Sequence, residues 1–314
     1  TTSAVQTINQ PSALSLSSVT ATAVKCKGGN DGAISYNVSG GTAGYTITIT
    51  PAGQTTPVAT VTHNGAGSYV KTGLTAGTYT LSLTDDKGCT IAAQTATVGE
   101  PALLTADIAS QTNVGCYGDN SGEITVGASG GTAPYLYKIA GEFSSNSTFS
   151  NLMAGNYTIT IKDNNGCEAS VSTSITQPAG TLNASIGSQT NVCCKGGANG
   201  SVTILAQSGT EPYQYRLNDG SWQSSATFSD LSMNSYIATV KDSNGCKILL
   251  SVNITEPEQL AIVQQGVTPV RCKGESNGAF AFKVNGGTLN YTITIAGPAG
   301  NVALASSVSG VYTQ

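Results

Sequence analysis

Charged side chains and histidine are scarce in this sequence of 314 residues. Asp, Glu, Lys and Arg make up 10% of the chain, and the formal net charge is −4. Binding to nucleic acid or to an anionic membrane requires a basic stripe, so neither partner is expected. One histidine, His63, leaves little room for histidine-based catalysis or zinc chemistry. No apolar run approaches the ~20 residues of a membrane span, so no membrane insertion of this segment is expected.

Helical periodicity is also missing, and apolar residues instead alternate with polar ones. Threonine or another polar residue separates the members of each apolar pair. The pairs include Ile47 and Ile49, Ile159 and Ile161, and Ile293 and Ile295. A period of two is typical of half-buried strands, so the sequence predicts an all-β protein.

Four landmarks recur along the chain at intervals of about 80 residues. The first is a proline after a strand end, in "INQPSAL", "VGEPALL", "ITQPAGT" and "ITEPEQL". The second is a cysteine before a glycine-rich turn, in "CKGGNDG", "CYGDNSG", "CKGGANG" and "CKGESNG". The third is the turn "GGTAGY", "GGTAPY", "SGTEPY" or "GGTLNY". The fourth occurs three times, as "YTLSLTDDKGC", "YTITIKDNNGC" and "YIATVKDSNGC".

These landmarks divide the chain into tandem copies of about 78 residues. Residues 1–10 are predicted to be the tail of a preceding copy, and the chain a window from a longer array. The predicted copies are copy 1 (residues 11–100), copy 2 (101–177), copy 3 (178–256) and the partial copy 4 (257–314). Six or seven short strands with regular turn signals favour an Ig-like β-sandwich for each copy. Short proline-containing links predict a rod-like array.

Two of the copies carry a longer central hairpin than the others. In copy 1 this insertion runs from Thr50 to Lys71, and copy 4 shares it in "AGPAGNVALASSVSGVYTQ". Such an insertion is expected to change the surface of the sandwich and not its core.

Each complete copy has one cysteine near its start, the turn cysteine, and one near its end, the closing cysteine. We expect one disulfide within each copy, formed in an oxidising compartment. The predicted pairs are Cys26 with Cys89, Cys116 with Cys167, and Cys194 with Cys246. In the chain-entropy model a disulfide that closes a loop of ~50 residues stabilises the folded state by roughly 4 kcal/mol. Free thiols are the alternative, while a zinc site is disfavoured because the chain has no CxxC.

Two cysteines are left over by this pairing. Cys272 has no partner because copy 4 ends before its own closing cysteine. Cys193 is an extra thiol beside Cys194, and it either is inert or competes with Cys194 for Cys246.

The fourth landmark suggests two structural roles and one binding hypothesis. Leu-x-x-Gly-x-Tyr before a strand is typical of a tyrosine corner, which predicts structural roles for Tyr79, Tyr157 and Tyr236. The acidic turns that follow are interpreted as plain β-turns. Calcium, which prefers such oxygen ligands, is the alternative, and otherwise no cofactor or metal is expected.

Aromatic residues in the variable hairpins are candidates for ligand contact. Phe143 and Trp222 occupy equivalent positions in copies 2 and 3, where an exposed ring would stack on a sugar. The alternative is a side chain folded over the edge of the sheet. Carboxylates such as Glu123 and Glu142 are scattered and unrepeated, so paired-carboxylate catalysis is not expected and the chain is interpreted as a non-enzyme.

The order "V-x-C-x-G-x-x-x-G", "GGT-x-x-Y", "L-x-x-G-x-Y-x-x-x-V-x-D-x-x-G-C" and "[IV]-x-[QE]-P" resembles the SprB repeat. This repeat builds the large cell-surface adhesin of gliding Bacteroidetes. The resemblance covers three full copies and a partial one, although copy 3 lacks the corner glycine in "LSMNSY". It implies type IX secretion, display outside the outer membrane and, in the adhesin itself, movement by the gliding machinery.

The sequence and this resemblance together predict a non-catalytic adhesin stalk at the cell surface. Its expected partners are an extracellular surface or polysaccharide and other repeats of the same long chain. A carbohydrate-binding array that contacts polysaccharide through Trp222 and Phe143 is the alternative. A third hypothesis is a non-catalytic extension of an enzyme encoded elsewhere in the chain.

Overall fold

The computed structural model describes residues 8–297, 300–306 and 310–313, and it describes only the backbone of the last two ranges. All regular secondary structure in these ranges is β-strand. The all-β prediction is therefore confirmed. A search of the described residues for a helix long and apolar enough to cross a membrane finds none.

Copy 1 folds as seven strands in two sheets. The strands are β1 (Ser15–Thr22), β2 (Gly32–Ser39), β3 (Tyr45–Pro51), β4 (Ala59–His63), β5 (Gly67–Leu74), β6 (Gly77–Thr84) and β7 (Gln94–Val98). One sheet has the order β1-β2-β5 and the other the order β4-β3-β6-β7, and every pair is antiparallel. This is the Ig-like arrangement of strands A-B-E against C′-C-F-G.

Copies 2 and 3 keep the same two sheets with six strands each. In copy 2 the strands are β8 (Thr105–Thr112), β9 (Gly122–Ser129), β10 (Leu136–Lys138), β11 (Thr148–Leu152), β12 (Gly155–Lys162) and β13 (Glu168–Ile175). In copy 3 they are β14 (Asn183–Thr190), β15 (Gly200–Gln207), β16 (Gln214–Leu217), β17 (Thr227–Leu231), β18 (Asn234–Lys241) and β19 (Lys247–Ile254). The sheet orders are β8-β9-β11 with β10-β12-β13, and β14-β15-β17 with β16-β18-β19.

Copy 4, as far as it is described, contributes five strands to the same pattern. They are β20 (Ala261–Thr268), β21 (Ala279–Asn285), β22 (Tyr291–Gly297), β23 (Gly300–Ser306) and β24 (Gly310–Thr313). Its sheets have the orders β20-β21-β24 and β22-β23. Strand β23 corresponds to β4 of copy 1, so the longer hairpin predicted for these two copies forms an additional edge strand in both.

The core of each copy follows from the alternation in its sequence. In copy 1, Ile34 from one sheet and Ile47 and Leu83 from the other belong to one fully buried cluster. Burial of such a side chain contributes roughly 1.5–3 kcal/mol. In copy 2, Ile159 and Ile161 are both 0% exposed. Copy 3 has its own cluster, which lies within residues 182–254.

A glycine in the third landmark allows two backbone segments to come unusually close. Gly130 has φ +72°, and a Cβ atom added there would lie 1.9 Å from the carbonyl oxygen of Leu103. Gly131 N–H donates to Ala102 O at 2.9 Å beside it. Only glycine meets both conditions without strain. This close approach places Thr132 next to the acidic turn that carries the closing cysteine of copy 2.

Contacts divide the described chain into two compact units. The first comprises residues 8–112 and 122–175, and the second comprises residues 113–121 and the rest of the described chain. Each hydrogen-bonded sheet lies within one of the four predicted copies. The borders at residues 101, 178 and 257 themselves stay predictions.

Candidate functional site

The acidic turn of copy 2 is organised by one buried carboxylate. Asp163 is 3% exposed. Its Oδ1 accepts the backbone N–H groups of Asn165 at 2.9 Å and Cys167 at 2.8 Å, and its Oδ2 accepts that of Thr132 at 2.9 Å. The carboxylate thus ties the closing cysteine to the "GGT" turn.

The same carboxylate occurs in copies 1 and 3. Asp242 accepts the N–H groups of Cys246 and Thr210 at 2.9 and 3.0 Å. Asp85 accepts those of Thr42 and Cys89, both at 2.8 Å. The hydrogen bond from Thr42, helped by those from Cys89 and Lys87, lowers the pKa of Asp85.

These hydrogen bonds account for the acidic residue in each turn without a metal ion. Among the described residues, no group of three or more His, Cys, Asp or Glu side chains is arranged to hold a metal. The structure carries no test of the calcium hypothesis itself, which stays a hypothesis.

The disulfides join neighbouring copies. Cys26 of copy 1 is bonded to Cys167 of copy 2, with Cα atoms 5.7 Å apart. Cys116 of copy 2 is bonded to Cys246 of copy 3, with Cα atoms 5.8 Å apart. The rule is that the turn cysteine of one copy bonds to the closing cysteine of the next. The predicted pairing within each copy, including Cys194 with Cys246, was therefore wrong.

The two cysteines of one copy cannot pair because they lie at opposite ends of the sandwich. In copy 1, Cys26 precedes the start of β2, whereas the acidic turn with Cys89 contacts Thr42, beyond the end of β2. Eight residues of strand separate these ends by about 26 Å. A disulfide tolerates a Cα–Cα separation of at most about 7 Å. Cys89 and Cys194, both predicted to be bridged, are exposed free thiols.

An asparagine in the acidic turn holds the two copies together beside the first disulfide. Asn165 Nδ2 donates to the carbonyl oxygen of Lys25 in copy 1 at 3.1 Å and to Thr132 Oγ1 at 3.0 Å. The side chain therefore bridges the residue before the turn cysteine and the "GGT" turn of the next copy. We call this arrangement, with its disulfide, the junction.

The second junction has the same geometry. Asn244 Nδ2 donates to the carbonyl oxygen of Gly115 at 2.8 Å and to Thr210 Oγ1 at 3.0 Å. Gly115 precedes Cys116 just as Lys25 precedes Cys26. Two independent pairs of copies thus use the same contacts.

The glutamate or glutamine before each linking proline anchors the turn cysteine of its own copy. Glu100 accepts the N–H of Gly28 at 3.0 Å and the ammonium of Lys27 at 2.6 Å. Gln177 accepts the N–H of Gly118 at 2.8 Å, and Glu256 that of Gly196 at 2.6 Å. The hydrogen bond from Lys27 is the main reason that the pKa of Glu100 is lowered. The "[QE]-P" landmark therefore positions the turn cysteine.

The family model of the SprB repeat matches the chain three times, over residues 18–54, 108–141 and 186–221. Each match includes the turn cysteine of one copy. This chain carries SprB repeats. A search of curated proteins finds no significant match.

Several solved structures of tandem-domain proteins are similar to the chain at low sequence identity. One, a tetra-tandem repeat in the extending region of a large adhesion protein, is 16% identical; 96% of this chain and 90% of that chain are covered, with a TM-score of 0.31. Invasin, a bacterial integrin-binding protein, is 13% identical over 96% of this chain and 78% of its own, with a TM-score of 0.34. An I-band fragment of titin is 16% identical over 80% and 99%, with a TM-score of 0.36.

Copies 3 and 4 share a hydrogen bond at the place that corresponds to a junction. Thr288, in the "GGT" turn of copy 4, donates to the carbonyl oxygen of Cys193 at 2.7 Å. Cys193 occupies the place of Lys25 and Gly115. The thiols of Cys193 and Cys194 lie 3.3 Å apart, and hydrogen bonding with Cys194 lowers the pKa of Cys193.

The tyrosines of the fourth landmark bond to the backbone four residues upstream. The Tyr79 hydroxyl donates to Thr75 O at 2.9 Å, and Tyr157 donates to Met153 O at the same distance. Tyr236 donates to Ser232 O at 3.0 Å. This is the geometry of a tyrosine corner, and it is kept in copy 3 without the corner glycine.

The candidate ligand-contact aromatics each lie against two cationic side chains. The Phe143 ring has the ammonium groups of Lys138 and Lys162 at 4.5 and 4.2 Å from its centroid. The Trp222 ring has the Arg216 guanidinium at 4.9 Å and the Lys241 ammonium at 4.5 Å. Both rings are partly buried. Each therefore covers charged side chains of the sheet while keeping part of its surface exposed.

Sequence reasoning missed the residues that join the copies. Asn165 and Asn244 lie within the quoted "DNNGC" and "DSNGC" turns, and they were interpreted only as turn formers. Their recurrence one residue before the turn glycine was visible, but one of the two acceptors of each amide, Lys25 O or Gly115 O, belongs to the preceding copy. No pattern within one copy indicates such a contact.

Proposed function

We propose that this chain is part of a non-catalytic cell-surface adhesin stalk whose SprB repeats are covalently locked to their neighbours. The observation that carries the proposal is the pair of disulfides Cys26–Cys167 and Cys116–Cys246. The SprB matches support an adhesin-type repeat array and an extracellular location. Disulfides agree with that location because they persist in oxidising compartments.

Locking of neighbours suits a stalk that transmits force. A bridge within one copy would protect that copy alone and leave the link to the next copy free to bend. A bridge between copies closes a loop that includes the linking peptide, as the 141-residue separation of Cys26 and Cys167 shows. Tandem repetition also multiplies weak contacts, so low affinity for each copy can give firm attachment.

The finer parts of the proposal follow the SprB resemblance. They are attachment to an extracellular surface or polysaccharide, display at the outer membrane of a member of the Bacteroidetes, type IX secretion and a role in gliding motility. Other repeats of the same long chain are the proposed neighbours. The support for these parts is the family match alone.

Peptide mapping under non-reducing conditions tests the proposal on protein shaved from intact cells by protease. We expect the linked peptides Cys26–Cys167 and Cys116–Cys246 in the shaved fraction. Spheroplast lysate from the shaved cells is the matched control and should contain little of either. Recovery of this segment only from the cytoplasm, with all four of these thiols reduced, would contradict a surface stalk.

A second candidate function is binding of acidic polysaccharide by the aromatic hairpins of copies 2 and 3. The observation that favours it is the repeated cluster of one aromatic ring and two cations, in a chain with only 13 Lys and Arg.

Glycan binding by Trp222→Ala and by the charge variant Lys241→Gln tests this candidate. Stacking and charge each contribute on the order of 1 kcal/mol, so each variant should bind acidic glycans at least ~5-fold more weakly. Tyr117→Ala, at an exposed aromatic outside the cluster, is the matched control. Equal binding by all three variants, or no binding of wild-type protein to any glycan, would contradict polysaccharide binding by these hairpins.

A further inference from the structure

Two junctions are complete among the described residues, and copy 1 carries one half of another. Cys89 occupies the place of Cys167 and Cys246, it is exposed, and its thiol is free. Its backbone N–H is held by Asp85 at 2.8 Å, as those of Cys167 and Cys246 are held by Asp163 and Asp242. The hydrogen bond that positions a bridged closing cysteine is therefore present at Cys89 without a bridge.

The side chain next to Cys89 also fits a junction. Lys87 stands where copies 2 and 3 have the bridging asparagines. Its ammonium is exposed and pairs with Asp86 at 3.2 Å. Like the asparagine amide, an ammonium can donate a hydrogen bond to the carbonyl group before an incoming turn cysteine.

Copy 4 shows that the "GGT" turn contacts the preceding copy without a disulfide. Thr288 donates to the carbonyl oxygen of Cys193 at 2.7 Å, although copy 4 supplies no closing cysteine. This contact between the "GGT" turn and the preceding copy therefore does not depend on a disulfide. Thr42 is the corresponding threonine of copy 1.

We propose that Cys89 is a covalent acceptor for the turn cysteine of another SprB repeat placed before copy 1. The inference rests on the proposed stalk and assigns it a direction, since each bridge runs from a turn cysteine to the closing cysteine that follows. Formation of the bond removes one proton from each thiol and two electrons from the pair. A small-molecule disulfide takes up both and is released as two thiols, so the exchange is balanced.

An extended chain tests the proposal by supplying the missing half. Residues 1–10 are replaced by a duplicate of residues 101–177, so that a second copy 2 precedes Pro11 with the natural link. The protein is refolded with oxidised and reduced glutathione, its free thiols are counted under denaturing conditions, and its disulfides are mapped. The wild-type chain has eight cysteines, of which four are free.

We expect four thiols in the extended chain as well, because its two additional cysteines add one bridge and one free closing cysteine while Cys89 is consumed. The map should show Cys89 linked to the duplicated Cys116. In the extended chain, Cys89→Ser should raise the thiol count to about five. Cys272→Ser, which removes a free thiol, should lower it to about three.

The other outcomes separate this inference from the proposed function. About six thiols with both native bridges present would overturn the inference and leave the locked stalk standing. Linkage of Cys89 to any other cysteine, or between two chains, would overturn it as well. Loss of Cys26–Cys167 and Cys116–Cys246 under the same conditions would instead contradict the proposed stalk.

Discussion

Serine in place of both Cys26 and Cys116 should release about 170 residues of chain when one molecule is pulled from its ends. At about 3.3–3.6 Å for each residue this is about 560–610 Å of additional length. Each single substitution should release far less, about 40 residues for Cys26→Ser and about 30 for Cys116→Ser. The gains are therefore strongly non-additive.

The reason is that the two bridges interlace along the chain. Cys116 lies inside the 141-residue loop closed by Cys26 and Cys167, and its own bridge to Cys246 spans 130 residues. The shortest covalent path runs from Cys26 to Cys167, back along about 50 residues to Cys116, and across to Cys246. If one bridge is lost, the other still withholds 130 or 141 residues from extension.

Force spectroscopy on the oxidised chain, with thiols blocked by alkylation, measures these lengths. Cys272→Ser is the matched control and should change nothing, because Cys272 is free. Bridges within each copy would give a different result, in which the two single substitutions release about 60 and 50 residues and the double variant releases their sum. An additive series would therefore contradict the interlaced pairing.

Alanine in place of Asp163 should destabilise copy 2 by about 3 kcal/mol. The substitution leaves three backbone N–H groups without their acceptor, those of Thr132, Asn165 and Cys167. An unsatisfied buried donor costs about 1–3 kcal/mol, and water entering the turn recovers part of that cost. Hydrogen exchange of the amides in β12 should become roughly 100-fold faster.

Two variants in the same turn serve as controls for this prediction. Asn164→Ala removes an exposed side chain and should change stability by less than about 0.5 kcal/mol. Asp163→Asn keeps one carbonyl acceptor, so its loss of stability should lie between those of Asn164→Ala and Asp163→Ala. Exchange in β18 of copy 3 is the internal reference. Equal exchange rates in β12 of Asp163→Ala and wild-type protein would show that the carboxylate does not organise the turn.

The strands and the repeats were predictable because their physical causes are local. Alternation of Ile159 and Ile161 with threonine determines which face of β12 is buried, wherever the copy lies in the array. The turn signals and the extra hairpin of copy 1 likewise act within one copy. The same holds for the tyrosine of the fourth landmark, whose acceptor is only four residues away.

The cysteine pairing was not predictable, although every cysteine was identified. The spacing of Cys26 and Cys89 is compatible with a disulfide between them, and it is equally compatible with the observed bridge from Cys26 to Cys167 of the next copy. The pairing is decided by strand β2, whose eight residues place Cys26 and Cys89 at opposite ends of the sandwich. Sequence separation contains no information about which end of a sandwich a turn occupies.

The sequence by itself therefore determined an array of small Ig-like β units, in which each complete copy has one cysteine near its start and one near its end in sequence. Only the tertiary structure decided that the turn cysteines of copies 1 and 2 bond to the next copy and not within their own copy. The physical reason is that alternation and turn chemistry act over a few residues. A disulfide, in contrast, requires two Cα atoms within about 7 Å, and that proximity arises only when one folded copy is packed against the next.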